Sequence, residues 1–295
     1  MPDDRFFPRV SFVAPPDEYE TYDRARVVIL PVPYDSTTTA RAGAREGPGA
    51  IIRASADMEL FDVGLGYEPY RWGIHTLPEL APLTGDAKAT IDRIEEVAGE
   101  LIDGGKFVVT LGGEHTVAVG SARAHAKRID GLSVLAFDAH ADMRDEYMGS
   151  SYNHACTLRR ISEVAPVTQV GLRSAEAEEF AHIQARRYVY YSPQTFRRQG
   201  GARDVIERLS EQVYITIDLD GIDPSQMAAV GTPEPGGLLW DEVVELLAAV
   251  AGERHIAGFD VTELAPDEGP RSCAQLAAKL TYRLIGLALG PPGEA

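Results

Sequence analysis

Short apolar segments alternate with amphipathic helical segments along most of the chain, and this alternation restricts the fold more than any other feature. Strands are predicted at 26–30, 106–111, 132–137, 167–171, 188–190, 213–217 and 256–259. Helices are predicted at 47–53, 86–102, 116–128, 155–163, 175–186, 204–209, 238–250 and 272–289. Such alternation builds βαβ units and a mostly parallel sheet. We therefore expect one α/β domain over residues 1–295, with irregular stretches at 34–48 and 64–85.

Four of the predicted strands are followed directly by a polar cluster. The clusters are G-G-E-H at 112–115, D-A-H-A-D at 138–142, D-L-D-G-I-D-P at 218–224 and D-V-T-E at 260–263. Sites in parallel sheets form beyond the carboxyl ends of the strands. Residues two apart in an extended chain also project the same way. Asp138, His140 and Asp142 can therefore converge on one point, and the other clusters are expected beside them.

Each cluster also has a simpler interpretation when it is taken singly. D-A-H-A-D could be a solvated loop, and Asp218 and Asp220 could be capping or turn residues. His115 could be a core histidine, and Glu263 could be a solvated acid. The occurrence of all four clusters at the same end of one predicted sheet favours a shared site.

The candidate ligands are two imidazoles and four carboxylates: His115, Asp138, His140, Asp142, Asp218 and Asp220. One divalent ion does not need six such groups, whereas two ions that share bridging carboxylates do. Without cations, carboxylates this close would repel one another and take up protons. Ligation by oxygen and imidazole without thiolate favours Mn²⁺ over a structural Zn²⁺ site. Two ions about 3.5–4 Å apart can lower the pKa of a shared water, so the ligand set predicts metal-assisted hydrolysis.

Charge and composition disfavour several other classes of protein. The formal charge of −17 disfavours a nucleic-acid partner and suits a small cationic substrate. No apolar stretch approaches the roughly 20 residues of a membrane span, and the acidic N-terminus is unlike a secretory signal. Two cysteines, Cys156 and Cys273, argue against a disulfide framework. We expect a cytoplasmic protein with no membrane partner.

The spaced motifs resemble those of the ureohydrolase (arginase/agmatinase) family. G-G-E-H, D-A-H-A-D and D-L-D-G-I-D-P occur in order, followed by G-T-P-E-P-G-G at 231–237. The similarity extends from V-P-Y-D at 32–35 to D-V-T-E-L at 260–264. It implies a three-layer α/β/α fold, two Mn²⁺ ions per subunit, and hydrolysis of a guanidino group with release of urea. It also implies a homo-oligomer, either a trimer or a hexamer.

The resemblance also implies a role for each site residue. One metal would be held by His115, Asp138, Asp142 and Asp218. The other would be held by Asp138, His140, Asp218 and Asp220, so that Asp138 and Asp218 bridge. Asp142 would in addition hydrogen-bond the attacking hydroxide, and Glu263 matches the carboxylate that holds the guanidinium. His154, in S-Y-N-H-A, matches a mobile histidine that moves protons, a role suited to its pKa range.

The loop between Asp142 and His154 favours agmatine as the substrate. Arginases resemble one another in having an asparagine two residues after the last D-x-H-x-D ligand, where this chain has Arg144, followed by Asp145 and Glu146. This stretch and the V-P-Y-D-S loop are more similar to agmatinases. Agmatine has a second cationic end, which acidic loop residues would suit. We therefore predict hydrolysis of agmatine to putrescine and urea.

Several alternatives stay open. The same chemistry could act on arginine, guanidinobutyrate or formiminoglutamate, or the chain could be a non-catalytic metal-binding relative. The segment 144–146 could also be a self-paired surface loop. A single-zinc deacetylase of related fold is disfavoured because His115 and the second carboxylate pair would be superfluous. Glu114 stands where aspartate is often found in the family, and Ala155 where many relatives have glycine, but neither departure removes a ligand.

Overall fold

The structure is a computed structural model that describes residues 10–39, 41–83, 85–186, 188–198 and 200–293. Its strands, in chain order, are β1 Val27–Val32, β2 Ile74–Thr76, β3 Phe107–Gly112, β4 Ser133–Phe137, β5 Val167–Val170, β6 Val189–Tyr191, β7 Gln212–Asp218 and β8 His255–Thr262. Within the described ranges they form one eight-stranded sheet in the order β2-β1-β3-β8-β7-β4-β5-β6. Every pairing in it is parallel.

Helices connect the strands and cover both faces of the sheet. They are α1 Asp17–Glu20, α2 Gly47–Ser55, α3 Ala87–Asp103, α4 Val117–Ala126, α5 Thr157–Ile161, α6 Ala177–Arg186, α7 Pro193–Arg198, α8 Ala202–Ile206, α9 Trp240–Glu253 and α10 Ser272–Leu289. Short 3₁₀ turns also occur, including His154–Cys156 and Leu219–Gly221. None of the helices in the described part of the chain is long and apolar enough to cross a bilayer.

The sheet is buried on both faces because successive side chains of each strand enter different cores. In β1, Val27 and Ile29 pack into the core formed with α2, α9 and α10. Their neighbours Val28 and Leu30 pack into the core formed with α3 and α4. The predicted three-layer α/β/α architecture is therefore confirmed, and the sheet is parallel throughout.

Several parts of the sequence-based prediction of secondary structure were wrong. The stretch 64–85 was expected to be irregular, yet it contains β2, a three-residue edge strand paired with β1. Helix α7 was also missed. Elements this short carry too few residues for a periodic pattern, and tertiary contacts stabilise them instead. In addition, β8 extends to Thr262, so Asp260 lies within the strand and not after it.

The polar clusters lie at the carboxyl ends of the four strands at the centre of the sheet. Strands β3, β8, β7 and β4 are consecutive neighbours. Because all four run in the same direction, their carboxyl ends lie side by side at one edge. The sheet order thus brings together segments that are more than 140 residues apart in sequence, such as 112–115 and 260–263.

Candidate metal centre

A cavity of about 280 Å³ opens at this edge of the sheet. Its floor is formed by residues that follow the central strands, and five of the six predicted ligands line it: His115, His140, Asp142, Asp218 and Asp220. Asp138, the sixth, is completely buried beneath them. His154 and Glu263 line the same cavity. The structure therefore brings all eight predicted site residues into one place.

The imidazole of His115 lies at the centre of three carboxylates. Its Nδ1 is 3.1 Å from Asp142 Oδ2, 3.2 Å from Asp138 Oδ2 and 3.4 Å from Asp218 Oδ2. The buried Asp138 Oδ2 atom receives no hydrogen bond of acceptable geometry from the described residues. A buried, ionised carboxylate oxygen without a hydrogen-bond donor is energetically unfavourable unless a cation lies close to it.

A second group of ligand atoms surrounds His140. Its Nδ1 is 2.8 Å from Asp220 Oδ2 and 3.9 Å from Asp138 Oδ1. His115, Asp138 and Asp218 could hold one ion and Asp138, His140 and Asp220 another, since the ligand atoms within each set lie within 4.8 Å of one another. The two sets share Asp138. This is the arrangement that two neighbouring ions with a common carboxylate need.

Backbone N–H groups orient the carboxylates so that one oxygen of each faces the cluster. Asp138 Oδ1 accepts from the N–H of His140 at 2.6 Å, and Asp218 Oδ1 accepts from that of Asp220 at 2.9 Å. Asp220 Oδ1 accepts from the N–H of Ala139 at 3.0 Å. In all three residues Oδ2 is the oxygen that approaches an imidazole. The main chain therefore fixes the direction of these three ligand oxygens.

The electrostatics of the cluster also fit a divalent cation. Burial and the neighbouring charges of Asp142 and Asp220 raise the pKa of Asp138 to about 7. Burial and the nearby carboxylates likewise raise the pKa of Asp218 well above its ordinary value. Positive charge at the centre would lower both pKa values, because it stabilises the ionised carboxylates. The hard oxygen donors with two imidazoles match the ligand preference of Mn²⁺.

A buried hydrogen-bond chain behind the cavity orients His115. Its Nε2 lies 3.0 Å from Thr216 Oγ1, whose hydroxyl donates to Asp260 Oδ1 at 2.8 Å. Tyr214 donates its hydroxyl to the other oxygen of Asp260 at 2.6 Å. Because the Thr216 hydroxyl is used as a donor, it accepts from the Nε2–H of His115. Nδ1 is thereby directed toward the carboxylates, as in metal sites whose ligand histidines are held by outer partners.

Glu263 is held at the cavity wall in a conformation that non-glycine residues seldom adopt. Its φ is +68°, and that of Asp142 is +48°. Strain of this kind persists where surrounding contacts impose it, often at functional sites. The N–H of Glu263 donates to Gly113 O at 2.7 Å, and its Oε1 accepts from the N–H of His115 at 2.6 Å. Burial raises the pKa of Glu263 to about 8, so an adjacent cation would favour its ionised form.

His154 lies in the cavity wall at the start of a 3₁₀ turn. The Asn153 side chain caps this turn by accepting from the N–H of Ala155. The His154 Nε2 atom is 2.7 Å from Thr39 Oγ1. Burial lowers the pKa of His154 below its usual 6.5, so the imidazole is uncharged near neutral pH.

The rim of the cavity differs from our expectation. Asp145 and Glu146, which we expected to meet the second cationic end of the substrate, do not line the cavity. Asp145 is instead paired with Arg160. Arg144 does line the cavity, but its Nη2 is 2.8 Å from Glu176 Oε1 and its guanidinium carbon is 4.3 Å from the centroid of the Tyr147 ring.

The acidic groups of the rim come from the start of α6 and the residues before it. Glu176 is exposed at the cavity mouth, whereas Glu179 is buried and accepts from the N–H groups of Met143 and Glu176. Sequence reasoning missed both glutamates, and it missed Thr37, Thr39 and Thr216 as well. The G-G-E-H and D-V-T-E motifs contained Glu114 and Asp260. A motif does not reveal the partners of a side chain that turns away from the cavity.

Comparisons with known proteins decide the family. The model of the Arginase family matches residues 25–286. The chain belongs to the arginase family. It is 40% identical to N(1)-aminopropylagmatine ureohydrolase of Thermus thermophilus over 90% of this chain and 91% of that protein. It is 34% identical to an agmatinase of Pyrococcus horikoshii over 89% of this chain and 92% of that protein.

A solved structure supports the same assignment. The agmatine ureohydrolase of Thermoplasma volcanium has a TM-score of 0.87 and 32% identity, with coverage of 97% of this chain and 96% of that chain. The resemblance inferred from the motifs is therefore confirmed. The family consists of metal-dependent enzymes, and these relatives are named as hydrolases that act on guanidino carbon–nitrogen bonds.

Proposed function

We propose that this ureohydrolase holds two Mn²⁺ ions and hydrolyses the guanidino group of agmatine to putrescine and urea. The observation that carries the proposal is the pair of overlapping ligand sets that share Asp138 on the floor of the cavity. Glu263 and His154, the two other residues needed for the reaction, line that cavity. A non-catalytic relative would have no need of this complete set.

The six floor residues would hold the metal ions. One ion would take the residues around His115: His115, Asp138, Asp142 and Asp218. The other would take the residues around His140: Asp138, His140, Asp218 and Asp220. Bound there, two Mn²⁺ ions would offset the carboxylate charges and lower the pKa of a water molecule, which makes a nucleophile available near neutral pH.

Glu263 would bind and orient the guanidinium. Its Oε1 is tied to the N–H of His115, and no described residue donates to its Oε2. A carboxylate so placed can accept from the planar N–H fork of a guanidinium, and the charged partner strengthens this hydrogen bond. This contact would orient the guanidinium with its carbon toward the floor of the cavity.

His154 would transfer the proton that the reaction requires. It is uncharged near neutral pH because burial lowers its pKa, and it lines the cavity. A neutral imidazole can accept a proton and then donate it to the departing amine, which leaves once it is protonated. Asp142, beside His115, would accept a hydrogen bond from the nucleophile.

The rim supports a substrate with a second positive charge. Glu176 and Glu179 add carboxylates near the mouth of a cavity that already contains acidic groups. A second candidate is N(1)-aminopropylagmatine, because a relative 40% identical to this chain is named for that substrate. The exposed carboxylate of Glu176 could meet the ammonium of this longer tail.

Urea release from agmatine, N(1)-aminopropylagmatine and arginine tests the proposal. We expect the Mn²⁺-loaded enzyme to act on agmatine, and a chelated sample to be inactive. Preference for N(1)-aminopropylagmatine would establish the second candidate. Release from arginine alone would contradict the substrate assignment, and release that survives complete metal removal would contradict the metal mechanism. No urea release from any guanidino compound would contradict the proposed reaction.

A further inference from the structure

We infer that Glu114 is a positioning residue, which holds His154 in place through the segment 36–39, here called the threonine loop. The inference rests on the proposed function, because it concerns the residue to which proton transfer is assigned there. Glu114 is fully buried between the candidate ligand His115 and this loop. Glu114 belongs to neither of the two ligand sets described above.

Both carboxylate oxygens of Glu114 accept hydrogen bonds from a single residue of the loop. Its Oε2 accepts from the N–H of Thr37 at 2.7 Å, and its Oε1 accepts from the Thr37 hydroxyl at 2.5 Å. The main chain of Glu114 also donates to Tyr34 O at 2.7 Å. The chain just before the loop lies so close to G-G-E-H that a Cβ on Gly113 would overlap the Tyr34 carbonyl oxygen. The start of the loop is therefore fixed to the end of β3.

The threonine loop in turn contacts His154 at two points. The oxygen of the Thr37 hydroxyl accepts from the N–H of His154 at 3.2 Å, and the Thr39 hydroxyl lies 2.7 Å from Nε2 of the ring. Asn153, which caps the turn of His154, donates from Nδ2 to Thr37 O at 3.3 Å. Main chain and ring of His154 are thus both attached to a loop that Glu114 anchors.

Few other contacts orient the ring. Its buried Nδ1 has no hydrogen-bond partner among the described residues. The ring meets Tyr147 edge to face, with centroids 6.0 Å apart. A displacement of about 1 Å in a catalytic group can cost about 10²-fold in rate. Loss of the loop contacts should therefore lower the turnover number and leave substrate binding unchanged.

The length of the Glu114 side chain matters to this arrangement. An aspartate at this position would be one methylene shorter and could not reach the N–H and the hydroxyl of Thr37 from the same backbone position. Glu114 itself is adjacent to His115, so its substitution would disturb a candidate ligand. Thr37 is therefore the better residue to change.

The test compares Thr37→Val, which keeps the side-chain shape without the hydroxyl, with Thr37→Ser, which keeps the hydroxyl. Ser36→Ala is the matched control, because Ser36 is exposed, and the hydrogen bonds of the loop to Glu114 and His154 come from Thr37 and Thr39. We expect Thr37→Val to lower kcat about tenfold or more, with unchanged KM and Mn²⁺ content. Thr37→Ser should restore most of the activity. Wild-type kcat in Thr37→Val would overturn the inference.

A double-mutant cycle separates positioning from general stability. If Thr37 acts through His154, Thr37→Val should have no further effect on kcat in a His154→Ala background. Multiplicative losses would overturn the inference, since they would show that the two residues act independently.

A measurement without substrate distinguishes this inference from the proposed function. The side-chain NMR signals of His154 are followed in the metal-free protein, with Thr37→Val and Thr37→Ser compared. We expect Thr37→Val alone to shift and broaden them. Unchanged signals would overturn the inference even in an enzyme that hydrolyses agmatine. Changed signals in a protein without ureohydrolase activity would leave the positioning intact and refute the proposed reaction.

Discussion

The floor and the rim of the cavity are built in different ways. The floor residues lie at the carboxyl ends of central strands and are buried, except for the 26% exposed side chain of His140. Backbone N–H groups orient the carboxylates of Asp138, Asp218 and Asp220. The rim residues Arg144 and Glu176 come from loops and are held by side-chain contacts, and the Glu176 side chain is 63% exposed. A fixed floor suits the chemistry common to a family, whereas an adjustable rim suits selection among substrates.

The largest effect is expected where a floor carboxylate is neutralised. Asp218→Asn should remove metal ions and activity together, because the charge that binds the cations is lost. Metal stabilisation of the transition state is worth several kcal/mol, so turnover should fall by more than about 10³-fold. Metal analysis and urea release measure both quantities. Asp223→Asn is the control from the same motif, since Asp223 caps a turn by accepting from the N–H groups of Ser225 and Gly237.

His154→Ala should give the next largest effect and separate chemistry from metal binding. General acid–base catalysis contributes about 10²–10⁴-fold, so we expect a loss of at least about 10²-fold in kcat. The Mn²⁺ content should stay at the wild-type value, because His154 belongs to neither ligand set. His255→Ala, at an exposed position of β8, is the control. Loss of bound metal in His154→Ala would contradict this prediction, because it would show that His154 also contributes to metal binding.

Thr216→Val tests whether the hydrogen-bond chain behind the floor of the cavity contributes to metal affinity. It removes the hydroxyl that links His115 to Asp260, and such outer partners typically contribute 10–100-fold in metal affinity. We expect weaker Mn²⁺ binding by about that factor, measured by metal titration, with near-normal activity at saturating Mn²⁺. Thr110→Val is the matched control, because the Thr110 hydroxyl bonds Ser121 and not a ligand. Equal affinities in the two variants would contradict a supporting role.

The smallest effects are expected at the rim, and they should have opposite signs. Arg144→Gln removes a like charge near a cationic substrate and should lower its KM, whereas Glu176→Gln should raise it. Exposed ion pairs are worth about 1 kcal/mol or less, so each change should be about two- to fivefold with kcat retained. Asp145→Asn is the control, because Asp145 pairs with Arg160 outside the cavity. Changes of the same sign in both variants would refute an electrostatic role.

The sequence by itself was sufficient to predict the fold class and to name the candidate ligands. Strand periodicity is a local property, and each ligand either follows a strand or ends one. The D-A-H-A-D motif places three ligands within five residues. Only short elements without a period, such as β2 and α7, escaped prediction.

Only the tertiary structure decided which distant groups meet. His115 approaches Asp142 and Asp218 because β3, β8, β7 and β4 are neighbours, and strand order is not written in any local pattern. The contacts of Glu114 with Thr37 and of Arg144 with Glu176 also join segments that are distant in sequence, and no local pattern predicts them. Such contacts depend on side-chain rotamers and on loops closed over long sequence separations. The sequence thus determined the kinds of chemical group at the site, and long-range packing determined their partners.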